Sequence, residues 1–233
     1  YVRGGTVDPR LMNAINLIGD EELRKKVIDV INDLKIEIDG VIFEGLELKD
    51  APASLSRHHS YPGGLLEHII STVKIALTLC NCVEEVYGSK VDRDSVLAGV
   101  ILHDIFKPLM YVPKEGGGYR PSALAEKIDH LTLITAELIR RGFPIDIIHI
   151  VCSHHGDAGP LSPKTLEALI CHVADAADST LNGKVLRAAR YLIKEVTGKD
   201  VDVIDSKVAF EIVREKAHKG WSGVQETLEK YDL

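Results

Sequence analysis

The sequence predicts an all-α fold with a small β-hairpin insertion. Three observations lead there. Apolar residues recur at helical spacing through most of the chain. Asp, Pro and Gly residues punctuate that pattern where helices should start and stop. Residues 37–54 and 107–122 lose the period and carry β-branched and turn residues instead.

Taken in order, residues 8–36 read as two helices broken near Gly19-Asp20, with Asp20 capping the second. Residues 37–54 are expected to hold a short strand or hairpin. A long helix follows Pro62-Gly63-Gly64 and closes at Tyr87-Gly88; another, capped by an Asp, runs to Phe106. Two prolines flanking an apolar piece, and three glycines in a turn, then make 107–122 a hairpin or flap. Helices are expected from Ala123 to Gly142 with His130 inside, from Pro144 to Gly156, and from Ser162-Pro163 onward. Further amphipathic helices fill the rest, with no internal repeat.

Composition narrows the function. The 233 residues are 45% hydrophobic and 27% charged, ordinary for a soluble chain with a real core. Aromatic residues reach only 5% and the net charge is −7, which argues against a nucleic-acid partner. A small phosphate ester stays admissible, because a local metal can neutralise it. Cys80, Cys82, Cys152 and Cys171 form no CxxC pair, so reduced, mostly buried thiols and a cytoplasmic location are expected. No signal peptide or membrane span is read. The oligomeric state is not legible.

The chemistry lies in a series of histidines and aspartates. His68 lies near the start of the long helix, and His103-Asp104 ends the next. His130 comes on the one after, His154-His155 closes another, and Asp175 sits between alanines on the last. One ligand group per successive helix, each among apolar neighbours, is hard to explain as surface decoration. Imidazole with carboxylate suits Fe, Mn, Co, Ni or Zn. His149 and His172 read as hydrogen-bonded interior residues and His218 as exposed.

In that order, His68 … His103-Asp104 … His130 … His154-His155 … Asp175 resembles the HD-domain superfamily of metal-dependent phosphohydrolases. "HHSYPGGLLEH", "LHDIFK" and "SHHG" resemble the branch that includes YhaM-type 3′-5′ exoribonucleases. The resemblance implies an HD-type helical core over about 57–178 within a single domain 1–233, with helices 8–38 and 181–233 packed on it. It implies one or two divalent transition-metal ions. His68, His103, Asp104 and Asp175 would hold one; His130 and His154, with His155 less firmly assigned, would stand near a second, bridged by Asp104. Three-metal members carry a glutamate one turn before the first histidine; Gly64 stands there, so three ions are not expected. Phe106 replaces the usual glycine, so the pocket floor or the exit into the flap is expected to differ. The nucleic-acid-binding domain that precedes the exoribonuclease core is not read in residues 1–56, which favours a small nucleotide-like substrate.

The reaction so implied is hydrolysis of a phosphomonoester or phosphodiester, hydroxide activated by metal attacking phosphorus in line. Asp104 would hold the nucleophile. Lys107, three residues on, would hold a phosphate oxygen, against the plainer reading of a solvated helix-end lysine. Arg57, His58 and His59 would grip substrate or protonate the leaving group, or form an exposed polar loop. Tyr111, Tyr119 and Arg120 mark a flap able to close, or a plain turn. Asp178 would orient a ligand histidine or cap the next segment. Two alternatives remain: an HD-type di-iron oxygenase with the same ligand set, and a non-catalytic HD sensor that binds a nucleotide.

Overall fold

The computed structural model describes residues 7–233. Its order is α1 (Pro9–Ile15), α2 (Glu21–Asn32), β1 (Ile36–Ile38), β2 (Val41–Phe43), α3 (Gly64–Tyr87) and α4 (Arg93–Leu102). There follow β3 (Tyr111–Pro113), β4 (Tyr119–Pro121), α5 (His130–Arg140), α6 (Ile145–Cys152), α7 (Leu166–Thr197), α8 (Ser206–Lys219) and α9 (Trp221–Lys230). Strands occur among the described residues only as two antiparallel hairpins, β1–β2 and β3–β4. The all-α class with small β insertions therefore holds.

Capping chemistry explains where the helices begin. Asp20 accepts from the Leu23 amide, Asp92 from Ser95 and Asp129 from Thr132, each satisfying a first-turn N–H. Two boundaries differ from expectation. The Asp129 cap delays α5, so His130 is its first residue and not mid-helix. Thr165, which accepts from the Ala168 amide, starts α7 in place of Ser162-Pro163. A third difference concerns organisation. α7 is unbroken from Leu166 to Thr197, so the expected change from core to flanking helices between 178 and 181 falls inside a helix. Residues 36–38, expected at the end of the N-terminal helices, are strand β1.

α7 ties together two apolar clusters. Its first half, through Ala168, Ile170, Cys171 and Ala174, joins the main core formed with α1–α6. Its second half, through Leu186, Ala189, Leu192 and Ile193, packs with Tyr61 and the inner faces of α8 and α9. α4 is buried from Ser95 to its end at Leu102. Gly99 makes that possible: a Cβ there would stand 2.3 Å from Ile150 Cγ2, so only a glycine lets α4 and α6 approach this closely. Phe106, just after α4, is fully buried in the main core.

Cys80 and Cys171 are buried, Cys152 is partly so and Cys82 is exposed; all are free thiols. No described helix is long and apolar enough to cross a membrane.

Candidate functional site

The ends of α4 and α6, the starts of α3 and α5, and the middle of α7 converge on Asp104. α4 stops at Leu102, with His103 as its C-cap, and the chain continues in turns. The Lys107 amide bonds the Asp104 carbonyl at 2.9 Å, so Lys107 stays beside Asp104 although the α-helix has ended.

One set of ligand atoms gathers at Asp104 Oδ2. His68 Nε2 and His103 Nε2 lie 3.4 and 3.3 Å from it. His68 Nε2 is 3.2 Å from Asp175 Oδ1 and 3.2 Å from His103 Nε2. Ligands about 2.1 Å from a common centre are separated by about these distances. A second set gathers at Oδ1, with His130 Nε2 at 3.2 Å and His154 Nε2 at 3.7 Å. His155 joins His130 and His154 with ligand atoms within 4.8 Å of one another.

Each buried imidazole is aimed from behind. His68 Nδ1 donates to Asp178 Oδ2 at 2.7 Å. His103 Nδ1 donates to the Val100 carbonyl, and His154 Nδ1 to that of Val151, both at 2.7 Å. The three Nε2 atoms are thereby left facing inward as acceptors. The His154–His155 turn is held by Gly156, whose φ of +60° suits glycine, and by His172, whose ring nitrogen donates to the His154 carbonyl at 2.8 Å. His149 accepts from the Lys164 amide but is half-buried, not interior; His218 is exposed, as expected.

The electrostatics favour a cation. Asp104 Oδ1, His130 Nε2 and His154 Nε2 are buried without a hydrogen-bond partner, an arrangement that costs about 1–3 kcal/mol per atom unless something else satisfies it. Burial opposes charge on His68, yet Asp104, Asp175 and Asp178 together raise its pKa well above the usual value. A proton or a metal ion answers that same field. Burial pushes His154 well below the usual range, keeping it neutral and able to donate its lone pair. The His and Asp clusters can therefore hold a metal.

Asp104, Asp175, Lys107, His155, Arg57 and His58 line one cavity of about 710 Å³. Lys107 is not the solvated helix-end residue of the plainer reading. It is buried, and its ammonium lies 2.5 Å from Asp104 Oδ2. Burial lowers the His58 pKa to about 3, so its ring is neutral, and its Nδ1 has no partner.

His59 departs from the expected substrate role. Its backbone turns inward at φ +45°, its amide bonds Asn182, and its ring bridges Asp178 and Tyr61 at 2.8 and 2.7 Å. It supports Asp178 from behind and does not line this cavity. Tyr111, Tyr119 and Arg120 do not line it either; Tyr119 donates to the Asp50 carbonyl at 3.0 Å, tying the hairpin down. Sequence reasoning missed Lys184, Arg187 and Arg190 on α7, which do line the cavity. Their spacing of three residues was the available signal.

The HD domain family pattern matches residues 65–180, which span the ligand positions from His68 to Asp175. A dihydroneopterin 2′,3′-cyclic phosphate phosphodiesterase of Methanocaldococcus jannaschii is 48% identical over 181 residues, covering 78% of this chain and 72% of that protein. The chain belongs to the HD-domain superfamily of phosphohydrolases. Other HD relatives include the 3′-5′ exoribonuclease YhaM of Bacillus subtilis, 32% identical over 149 residues, covering 58% of this chain and 45% of that enzyme. YhaM of Listeria monocytogenes is 31% identical over 151 residues, covering 59% and 46%. No solved structure matches the chain.

Proposed function

We propose that this HD-type hydrolase opens a small, nucleotide-like phosphodiester, most specifically a 2′,3′-cyclic phosphate, with two divalent transition-metal ions placed on either side of Asp104. One observation carries the reading. The two oxygens of a single buried carboxylate face two separate ligand sets, and three of the converging atoms have no other partner. His68, His103, Asp104 and Asp175 would hold one ion, and His130, His154, His155 and Asp104 the other. Fe, Mn, Co, Ni and Zn all suit such donors.

When bound, divalent ions supply polarisation of the phosphoryl oxygens and a water whose pKa approaches neutrality. Asp104, held ionised by Lys107 and His103 against the effect of burial, would hold the ions beside the phosphoryl group. Lys107 donates to a non-bridging oxygen, where charge grows as the leaving oxygen departs. His58, neutral and facing the cavity, is placed to hydrogen-bond the sugar or the leaving oxygen. Arg57 approaches from the same loop and steadies the ester.

The cyclic phosphate named for the 48% identical archaeal relative supports a cyclic diester. The buried Lys107 favours hydrolysis over the oxygenase alternative. The test is an anaerobic assay of protein reconstituted with Fe(II) or Mn(II). Its panel holds 2′,3′-cyclic nucleotides, dihydroneopterin 2′,3′-cyclic phosphate, 3′,5′-cyclic nucleotides, nucleoside monophosphates and a short RNA. Turnover of the 2′,3′-cyclic esters that vanishes in Asp104→Ala is expected. Turnover confined to RNA, or none in protein that holds iron, overturns the substrate reading.

A further inference from the structure

Five cationic side chains line the cavity, but two carboxylates account for only part of that charge. Lys107 is paired with Asp104. Arg190 is spent on structure, donating to the Ser56 carbonyl, the Ser60 hydroxyl and the Asp202 carbonyl at 2.9–3.0 Å. Arg57, Lys184 and Arg187 are left, exposed at the mouth, and among the described residues none of the three side chains has an ion-pair or hydrogen-bond partner. In a chain of net charge −7, three unpaired cations on one rim are a local reversal of sign.

Position along α7 separates Lys184 and Arg187 from the reacting phosphoryl group. Lys184 follows Asp175 by nine residues on the same helix, which at 1.5 Å per residue sets it roughly 13 Å along the axis, and Arg187 is further still. Even with long side chains leaning back, they meet a group beyond the one at Asp104.

We propose that Lys184 and Arg187 form a second anion subsite that takes another phosphate of the same substrate. The preferred ester then carries two phosphate groups about one nucleoside apart. This rests on the proposed reading of the cavity as the phosphoester site, and it goes beyond it, since a cyclic monophosphate leaves these cations without a ligand.

The experiment compares two product-like probes on Mn(II)-loaded protein by calorimetry, adenosine 3′-monophosphate and adenosine 3′,5′-bisphosphate, with phosphate release monitored to confirm that neither is consumed. It also compares hydrolysis of adenosine 2′,3′-cyclic phosphate with and without a 5′-phosphate. The bisphosphate should bind about tenfold or more tightly, as charge-assisted hydrogen bonds predict. The doubly phosphorylated substrate should show a similar advantage in kcat/KM. In Lys184→Gln/Arg187→Gln both ratios should fall to within twofold. Both substitutions lie on an exposed face, so folding is preserved. A wild-type binding ratio within twofold, a bisphosphate that does not bind, or a preference that survives the double substitution overturns the subsite. A binding preference that stands while neither cyclic ester is cleaved sustains the subsite and removes the hydrolytic reading instead.

Discussion

Asp178 accepts the Nδ1–H of His68 at 2.7 Å, and so presents His68 Nε2 to Asp104 and Asp175. Asp178 is buried, and its other imidazole partner, His59, is itself braced by Tyr61. The His68 ring is therefore oriented by a hydrogen-bonded chain that starts one helical turn beyond Asp175 on α7.

Loss of that carboxylate should loosen the ring before it unfolds the protein. Asp178→Asn is expected to weaken metal binding by about 10–100-fold. Equilibrium dialysis against Mn(II) measures the change, and circular dichroism should show the helices retained. Unchanged affinity would mean that the Asp178 contact serves packing alone.

Lys107→Ala should act differently with and without metal. In the stripped protein it removes one cation from buried Asp104 and leaves His68 as its charged neighbour, so the cost should stay below about 3–5 kcal/mol, that of a fully unpaired buried charge. Divalent metal should restore much of that stability, because it neutralises the same carboxylate, while kcat stays down by about 100-fold or more. Urea unfolding of both forms, with steady-state kinetics, separates the two effects.

His58 sets an acid-side limit. Its folded pKa is depressed to about 3 by burial, against 6.5 for the free ring. Below pH 6.5 the unfolded chain binds a proton that the folded chain refuses, so stability falls as pH drops from 6.5 toward 3. The slope from this group is at most about 1.4 kcal/mol per pH unit. Urea midpoints of the metal-free protein between pH 7 and pH 5 should drop less steeply in His58→Gln. Equal slopes would assign the acid sensitivity to other groups.

Gly156→Ala should damage the second ligand set selectively. An alanine there is strained at φ +60°, and its Cβ would meet the His172 ring at 2.3 Å. A cost of about 1–3 kcal/mol is expected. The His154–His155 turn should shift with it, so bound Mn(II) should fall toward one ion per chain.

Much of this site was legible because histidine and aspartate inside apolar helices have few structural reasons to be there. His68, His103, Asp104, His130, His154, His155 and Asp175 meet in space because each sits at or near a helix end or on a helix aimed at one point. The hairpins were legible from Pro and Gly. The rest depended on tertiary detail. Lys184 and Arg187 were missed, because their three-residue spacing alone does not say that a cavity opens beneath them. His59 looked like its neighbour His58, and only an inward backbone turn, anchored by Asn182 from α7, separates their roles. The position of His130 depended on the Asp129 cap, which competes with a helical pattern that continues upstream.

In the proposed reading, Asp104 divides two ion sites. The most direct test is the Mn(II) stoichiometry of chelator-stripped protein, wild type beside His130→Ala and Asp104→Ala, by dialysis and elemental analysis. The account predicts two ions per wild-type chain, one after loss of His130, and neither held tightly without Asp104. A single ion in the wild type, unchanged by His130→Ala, would contradict it.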